Sequence, residues 1–302
     1  MIMVVAFALL GVLLGIFTGL VPGIHVNTVA AILIGLSACA DPMLFAVIVM
    51  STAITHTIWD FVPSILLGAP EAGTSLSVLP GHSMLLEGRG QEAIYLTVVG
   101  GVCSAVLSVA MLPVLFILIP LFYHSVQVYM HWLLGGMAAF MVLTESGVRK
   151  AFAIVCFTLS GILGVIILDS FMISSHEAFL PLFTGLFGVS TLLISLRGAS
   201  IVPRQAATMP VIHGSSAVLA SLKSIISGVI VGTLPGVGSS QAAVLVQNVT
   251  KTKDREGFLM ALGGINTVVA MFSLLSLYVI SRARSGAAVA VQQLLPGFAF
   301  DE

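Results

Sequence analysis

Apolar residues dominate long stretches of this chain, roughly at 3–36, 43–67, 93–122, 128–145, 150–168, 178–196, 225–249 and 257–280, and most charged residues fall in the gaps. A bilayer core needs about 20 apolar residues per helix. Each stretch therefore predicts a membrane-spanning helix, and together they predict an all-α polytopic membrane protein. Stretch 93–122 is too long for one straight span, and Pro113 and Pro120 predict a kink or an interfacial end within it. The first stretch has no basic region ahead of it and runs into Pro22-Gly23 rather than a small-residue cleavage site. It reads as a retained segment and not as a signal peptide.

The gaps sort by charge. Arg89, the pair Arg149 and Lys150, the trio Arg197, Arg204 and Lys223, and the trio Lys251, Lys253 and Arg255 fall in four of them. The gaps near Asp41, near His124 to His131 and near Asp169 to Glu177 hold no Lys or Arg. The positive-inside rule makes the first four cytoplasmic and the other three external. Stretch 225–249 has basic residues on both flanks, which predicts a helix that enters, breaks and returns. Arg282 and Arg284 fall on the external half of stretch 257–280 and run against the rule.

Two stretches contain a helix break, at Val21-Pro22-Gly23 and at Leu234-Pro235-Gly236-Val237-Gly238. At a constant interval of 213, Gly15, Gly19, Pro22, Gly23 and Ala30 fall on Gly228, Gly232, Pro235, Gly236 and Ala243, and Gly73 falls on Gly286. With one copy facing out and the other in, the pattern predicts an inverted structural repeat with two Pro-Gly-broken helices, the organisation of a secondary transporter. The units are a first membrane repeat at 1–196, a basic cytoplasmic linker at 197–224, and a second membrane repeat at 225–302. A full second unit would run to near residue 409, so the arithmetic predicts a truncated chain or a member without its last helices.

Composition narrows the function. The chain has 11 Lys and Arg against 12 Asp and Glu, only 8% charged, with 58% hydrophobic residues. That excludes a soluble enzyme, a disordered chain and a nucleic-acid binder. Cys39, Cys103 and Cys156 have no metal-ligand or redox spacing and read as small apolar residues. Neither a zinc-protease HExxH, a nucleophile elbow nor a phosphate-binding loop with lysine is present. The chain reads as a non-enzyme that needs no cofactor, with any driving force taken from an H+ or Na+ gradient or another subunit.

The candidate chemistry gathers at the breaks. Proline lacks a donor and glycine admits positive φ, so Pro22-Gly23 and Pro235-Gly236 unwind the helix and free backbone groups. Past each break a new helix N-terminus favours an anion. His25, Asn27 and Thr28 follow the first, and Gly238, Ser239 and Ser240 follow the second. The alternative is a pair of packing kinks with self-capped hydroxyls. His25 is a candidate coupling residue because imidazole titrates near neutral pH; His56 is a weaker one. Asp60 and Glu71 are further coupling candidates, since ionisable residues within spans are costly; the alternative puts Asp60 near the cytoplasmic end of stretch 43–67 and Glu71 in the loop after it. Through the interval Glu71 falls on Arg284, the best cationic partner for an anion, with an interfacial arginine as the alternative. Asn266 and Thr267, beside Gly263 and Gly264, read as interhelical glue.

The stretch GVLLGIFTGLVPGIHVNTVAAIL resembles the helix-break motif that opens the large membrane subunit of the tripartite tricarboxylate transporters, the TctA-like family. SILLGAPEAGTSLSVLPGHSMLLEGRGQEAI is similar to that family's small-residue segment and its Gly-Arg-Gly step, and GVIVGTLPGVGSSQAAVLV to the second break. The resemblance covers most of residues 11–295. His25 departs from the small or hydroxyl residues at that place, and the chain is shorter than the usual twelve-helix form, as in a divergent, archaeal-like branch. The resemblance implies cation-coupled uptake of a carboxylate at the cell membrane, with a small membrane subunit and an extracytoplasmic binding protein as partners. Membrane lipid and a second copy of the chain are the other partners in view. A lipid-phosphate flippase and a non-transporting scaffold are the rival readings.

Overall fold

The computed structural model describes residues 1–37, 41–69, 71, 73–168, 193, 203–206, 210–234, 237–250 and 254–298. Among these residues there are helices and no strand, and seven helical segments are long and apolar enough to cross a membrane. The protein is an all-α multi-pass membrane protein.

The first apolar stretch divides where Pro22-Gly23 predicts. Helix α1 (Ile2–Leu20) stops at Val21, which is extended, and α2 (Val26–Leu36) starts after His25. Gly23, with φ of 90°, turns the chain between them. The second stretch forms α3 (Pro42–Trp59) and α4 (Phe61–Leu67), and a 3-10 turn at Ser75–Ser77 leads into α5 (Val78–Leu86). The over-long third stretch divides at Met111 into α6 (Gly90–Ala110) and α7 (Leu112–Val126). Pro113 sits in the first turn of α7, where no helical N–H is needed, while Pro120 stays inside that helix.

Residues 129–201 cluster as a compact unit. Within it, α8 (Met130–Thr144) and α9 (Val148–Leu168) pack on one another across a turn at Gly147. No residue of α8 is buried, and its apolar surface is of the kind lipid covers. Stretch 178–196, apart from residue 193, lies outside the described residues, as do Asp169, Glu177, Arg197, Lys251 and Lys253.

The other unit joins residues 1–128 to 202–302. Its second part consists of α10 (Gly214–Thr233), α11 (Ser239–Thr250), α12 (Arg255–Ile280) and α13 (Gly286–Leu294). Helix α10 begins at Gly214, ahead of the expected 225, so Lys223 lies within a helix and not in a flanking loop. A single lysine in an otherwise apolar helix lays its long apolar stem along the helix surface and does not stop the span.

Element boundaries recur at the interval of 213. Val21 and Leu234 both end a helix in extended conformation, with N–H groups donated to Phe17 and Ile230. Asp41 caps α3 by accepting from Met43 N, and Asp254 caps α12 by accepting from Glu256 N. Gly68 and Ser281, with φ of 63° and 54°, are both left-handed. A Cβ on Gly15 or Gly19 would strike Thr55 or Trp59 of α3; one on Gly228 would strike Val268 of α12, and one on Gly232 would press on Phe272. Small residues thus set the same close crossing twice, α1 on α3 and α10 on α12.

Helix α12 is the hub, packed against α6, α10 and α3. Its crossing with α6 is backbone to backbone: a Cβ on Gly100 would strike Met260, and one on Gly263 would strike Thr97. At the start of α12, Arg89 pairs with Glu92 and Glu256, and Arg255 pairs with Glu87 at 2.8 Å. That bond from Arg255 holds the Glu87 carboxyl below the ordinary glutamate range. The basic gaps at Arg89 and Arg255, assigned to one membrane side by their charge, meet in the fold. Overpacking a tight contact costs about 1–3 kcal/mol or more. Gly263→Val should therefore lower the unfolding temperature in detergent sharply, whereas Gly161→Val, facing open space on α9, should leave it near wild type.

Candidate functional site

Both breaks border one cavity of about 270 Å³. The start of α2 contributes His25, Val26 and Asn27, and the start of α11 contributes Gly238 and Ser239. Arg284 and Ser285 come from the turn before α13, His56, Thr57 and Asp60 from the end of α3, and Glu71 and Gly73 from the loop after α4. The walls interlock reciprocally. Gly73 approaches Asn266 and Ser239 so closely that a Cβ there would overlap them, and Gly286 approaches Asn27 in the same way. Ser75 Oγ lies 2.9 Å from Ser240 Oγ. The loop of the first half thus meets the α11 start, and the α13 start of the second half meets α2.

Glu71 is held by its own loop. Its N–H donates to Thr74 Oγ1 at 3.1 Å, and Ser64 of α4 pins that loop by bonding Ser77 Oγ at 2.8 Å and Thr74 O at 3.3 Å. The carboxylate then meets two imidazoles, His56 Nε2 at 3.0 Å and His25 Nε2 at 3.5 Å from Oε2. The other nitrogen of His56 lies 3.0 Å from Thr18 Oγ1, which in turn is 3.3 Å from Gly15 O. Thr18 suits either protonation state. It donates to Nδ1 of a neutral ring, or accepts from Nδ1–H of an imidazolium while donating to Gly15 O. His25 Nδ1 accepts from Asn27 N at 3.1 Å and so caps α2. Its ring proton then sits on Nε2, the atom that faces Glu71.

The three ligand atoms of His25, His56 and Glu71 lie within 4.8 Å of one another, a spacing a divalent ion can use. The tautomer does not fit. With Nδ1 of His25 accepting a backbone N–H, the Nε2 lone pair that a metal needs carries a proton instead. The trio shares protons more naturally than it binds a metal.

A second polar chain crosses the cavity floor. Asn266 Nδ2 donates to Asp60 Oδ2 at 3.0 Å and to Thr57 O at 3.2 Å, while its Oδ1 accepts from Ser239 Oγ at 3.0 Å. One amide therefore ties the α11 start to the end of α3. Asp60 is 4% exposed, and its Oδ1 has no hydrogen-bond partner. Arg284 stands 5.8 Å from the Tyr123 ring centroid, over its face.

Of the residues singled out by sequence, His25, Asn27, Gly238, Ser239, Arg284, Asp60 and Glu71 line the cavity. Pro22, Gly23 and Thr28 do not: Pro22 and Gly23 shape the break, and Thr28 N donates to His25 O at 3.0 Å. Ser240 sits outside the lining, against Ser75. Pro235 and Gly236 lie outside the described residues. The site also holds His56 and Asn266, which sequence ranked low or assigned to packing. Their signal was present, as a histidine four residues before Asp60 and as a lone amide in an apolar span.

A family model described as the tripartite tricarboxylate transporter TctA family matches residues 5–299. An uncharacterized protein of Methanocaldococcus jannaschii is 29% identical over 299 residues, covering 95% of this chain and 72% of its own. No solved structure matches.

Losing a buried hydrogen-bond partner costs about 1–3 kcal/mol. His56→Ala strips partners from both Thr18 and Glu71 and should lower the unfolding temperature by several degrees, measured in detergent. Glu71→Gln keeps a bond to His56 and should lower it less.

Proposed function

Because the chain belongs to the tripartite tricarboxylate transporter TctA family, we propose that it moves an organic anion, a carboxylate, across the cell membrane by cation-coupled alternating access. The cavity between the two breaks is the substrate site in this reading. Carboxylate is the fitting class because Arg284, the imidazoles of His25 and His56, and the hydroxyl and amide of Ser239 and Asn27 line a single space. A planar guanidinium matches a carboxylate in geometry as well as charge.

The two halves form an inverted repeat in this proposal, the second starting with α10 at Gly214 and not after the linker at 197–224. The matching caps, breaks and glycine contacts support the repeat, and the charge-assigned sides of the loops support the inversion. One observation carries the functional reading: equivalent positions of both halves line the cavity, with different chemistry. His25 corresponds to Gly238, His56 to Val269, Asp60 to Ser273 and Glu71 to Arg284. Titratable groups stand on the first half, while neutral donors and the arginine stand on the second. That is a division between holding a coupling cation and holding an anion. A scaffold that used its breaks only for packing has no need of such a division.

A small membrane subunit and an extracytoplasmic binding protein complete the system we propose, as the family's tripartite name implies. The test is carboxylate binding by the purified chain, read as thermal stabilisation against a panel of di- and tricarboxylates and as uptake into proteoliposomes with the binding protein supplied. A charged hydrogen bond is worth about 1.5–3 kcal/mol. Arg284→Gln should weaken carboxylate binding roughly 10- to 100-fold while leaving the unfolding temperature of the free protein near wild type. Unchanged carboxylate affinity in that variant would move the substrate site elsewhere.

A further inference from the structure

The Asp60 carboxylate lies in the cavity wall with one oxygen unsatisfied. It is 4% exposed, and Asn266 fixes its orientation by donating to Oδ2 at 3.0 Å. Oδ1 is enclosed and accepts no hydrogen bond. A buried carboxylate oxygen left in this state is costly, because burial removes water and nothing replaces it. The neighbouring bases do not supply the missing partner. His56 faces Thr18 and Glu71 with its two nitrogens, and His25 faces Asn27 and Glu71.

A proton would neutralise the charge without completing the site. An Oδ1–H group is a donor, and that oxygen has no hydrogen-bond partner to receive it. Further oxygens stand across one amide from the carboxylate. The single amide of Asn266 touches Asp60 Oδ2, Thr57 O and Ser239 Oγ, at 3.0, 3.2 and 3.0 Å. Its Nδ2 holds the carboxylate and a backbone carbonyl, and its Oδ1 holds a hydroxyl beside them. Hard oxygen donors with one formal negative charge suit a monovalent cation, whereas a divalent one calls for more carboxylates. The other cavity carboxylate, Glu71, is engaged by the two imidazoles.

We propose that Asp60 is the anionic ligand of a Na+ site in the cavity wall, completed by oxygens of Thr57, Asn266 and Ser239. Two of these residues come from the end of α3 and two from the second half, on α12 and at the start of α11. A cation here binds the first half to the second break, so its occupancy sets how the α11 start sits against the cavity. Calling Na+ the coupling ion rests on the transport reading; the binding site itself does not.

The experiment measures Na+ binding by the purified full chain without substrate. The unfolding temperature and equilibrium binding of radioactive sodium are followed as Na+ replaces choline at constant ionic strength. Wild type should be stabilised saturably by Na+ and bind one ion per chain. Asp60→Asn should abolish both responses. Should that variant fail to fold, Ser239→Ala serves, and the loss of one ligand oxygen should raise half-saturating Na+ by roughly tenfold. Glu71→Gln should retain the Na+ response. The absence of a saturable Na+ effect in wild type would overturn the proposal. So would an unchanged response in Asp60→Asn, or a response to pH alone that Asp60→Asn removes. Na+ binding lost in Asp60→Asn in a protein that transports no carboxylate would leave this site standing and remove the transport reading.

Discussion

Helices that unwind inside a membrane protein free backbone groups that hydrocarbon cannot satisfy, and the rest of this structure follows from giving them partners. Each unsatisfied group costs several kcal/mol in lipid, so a break is stable only against protein or a polar cavity. At the first break Val21 N–H turns back to Phe17, and the imidazole of His25 caps α2. At the second, Leu234 N–H turns back to Ile230, and Gly238 N–H meets the Gln241 amide. Walls must then come close enough to enclose these ends. Glycines supply that approach at Gly15, Gly19, Gly228 and Gly232 along the helices, and at Gly73 and Gly286 where the halves interlock. The cavity is what remains between two enclosed breaks.

Its chemistry is divided in a way its backbone is not. Helix ends, caps and glycine contacts match across the interval of 213, yet the side chains that face the cavity diverge. The first half carries His25, His56, Asp60 and Glu71, and the second carries Ser239, Asn266, Ser273 and Arg284. A symmetric scaffold allows an element to exchange one arrangement for its mirror at small cost, which is the basis of alternating access in repeat transporters. An asymmetric lining then lets one cavity hold two solutes of opposite charge. Cross-links such as Asn266 to Asp60 and Ser239 join the two halves, because the amide that orients the carboxylate also touches the helix start that borders the cavity.

Much of this was legible in the chain. Long apolar runs fixed the class, Pro22-Gly23 placed the first break, and the recurrence of Gly15 and Gly19 at Gly228 and Gly232 pointed to the matching helix crossings. Residues whose role depends on local geometry were less legible. Glu71 reads from sequence as a loop residue beyond a span, and only the fold of its loop under Ser64 turns it toward two histidines. Asn266 reads as glue between helices, which it is, but the helix it bonds to carries Asp60. Thr28 and Ser240 were singled out beside Asn27 and Ser239, and at each helix start only Asn27 and Ser239 line the cavity. The start of α10 was misplaced because Lys223 was counted as a boundary, when a lysine can lie along a span.

The central claim, that one cavity between the two breaks takes the anion and opens in turn to each side, is tested most directly at Val237. In a chain with Cys39, Cys103 and Cys156 replaced by serine, Val237→Cys would place a lone thiol in the cavity wall. Its modification by a membrane-impermeant thiol reagent would be timed from each side of sealed vesicles, with and without saturating carboxylate and Na+. The account predicts labelling from both sides, slowed by carboxylate and biased toward one side when Na+ is added. Equal labelling rates under all conditions, in a protein that binds the carboxylate, would contradict it.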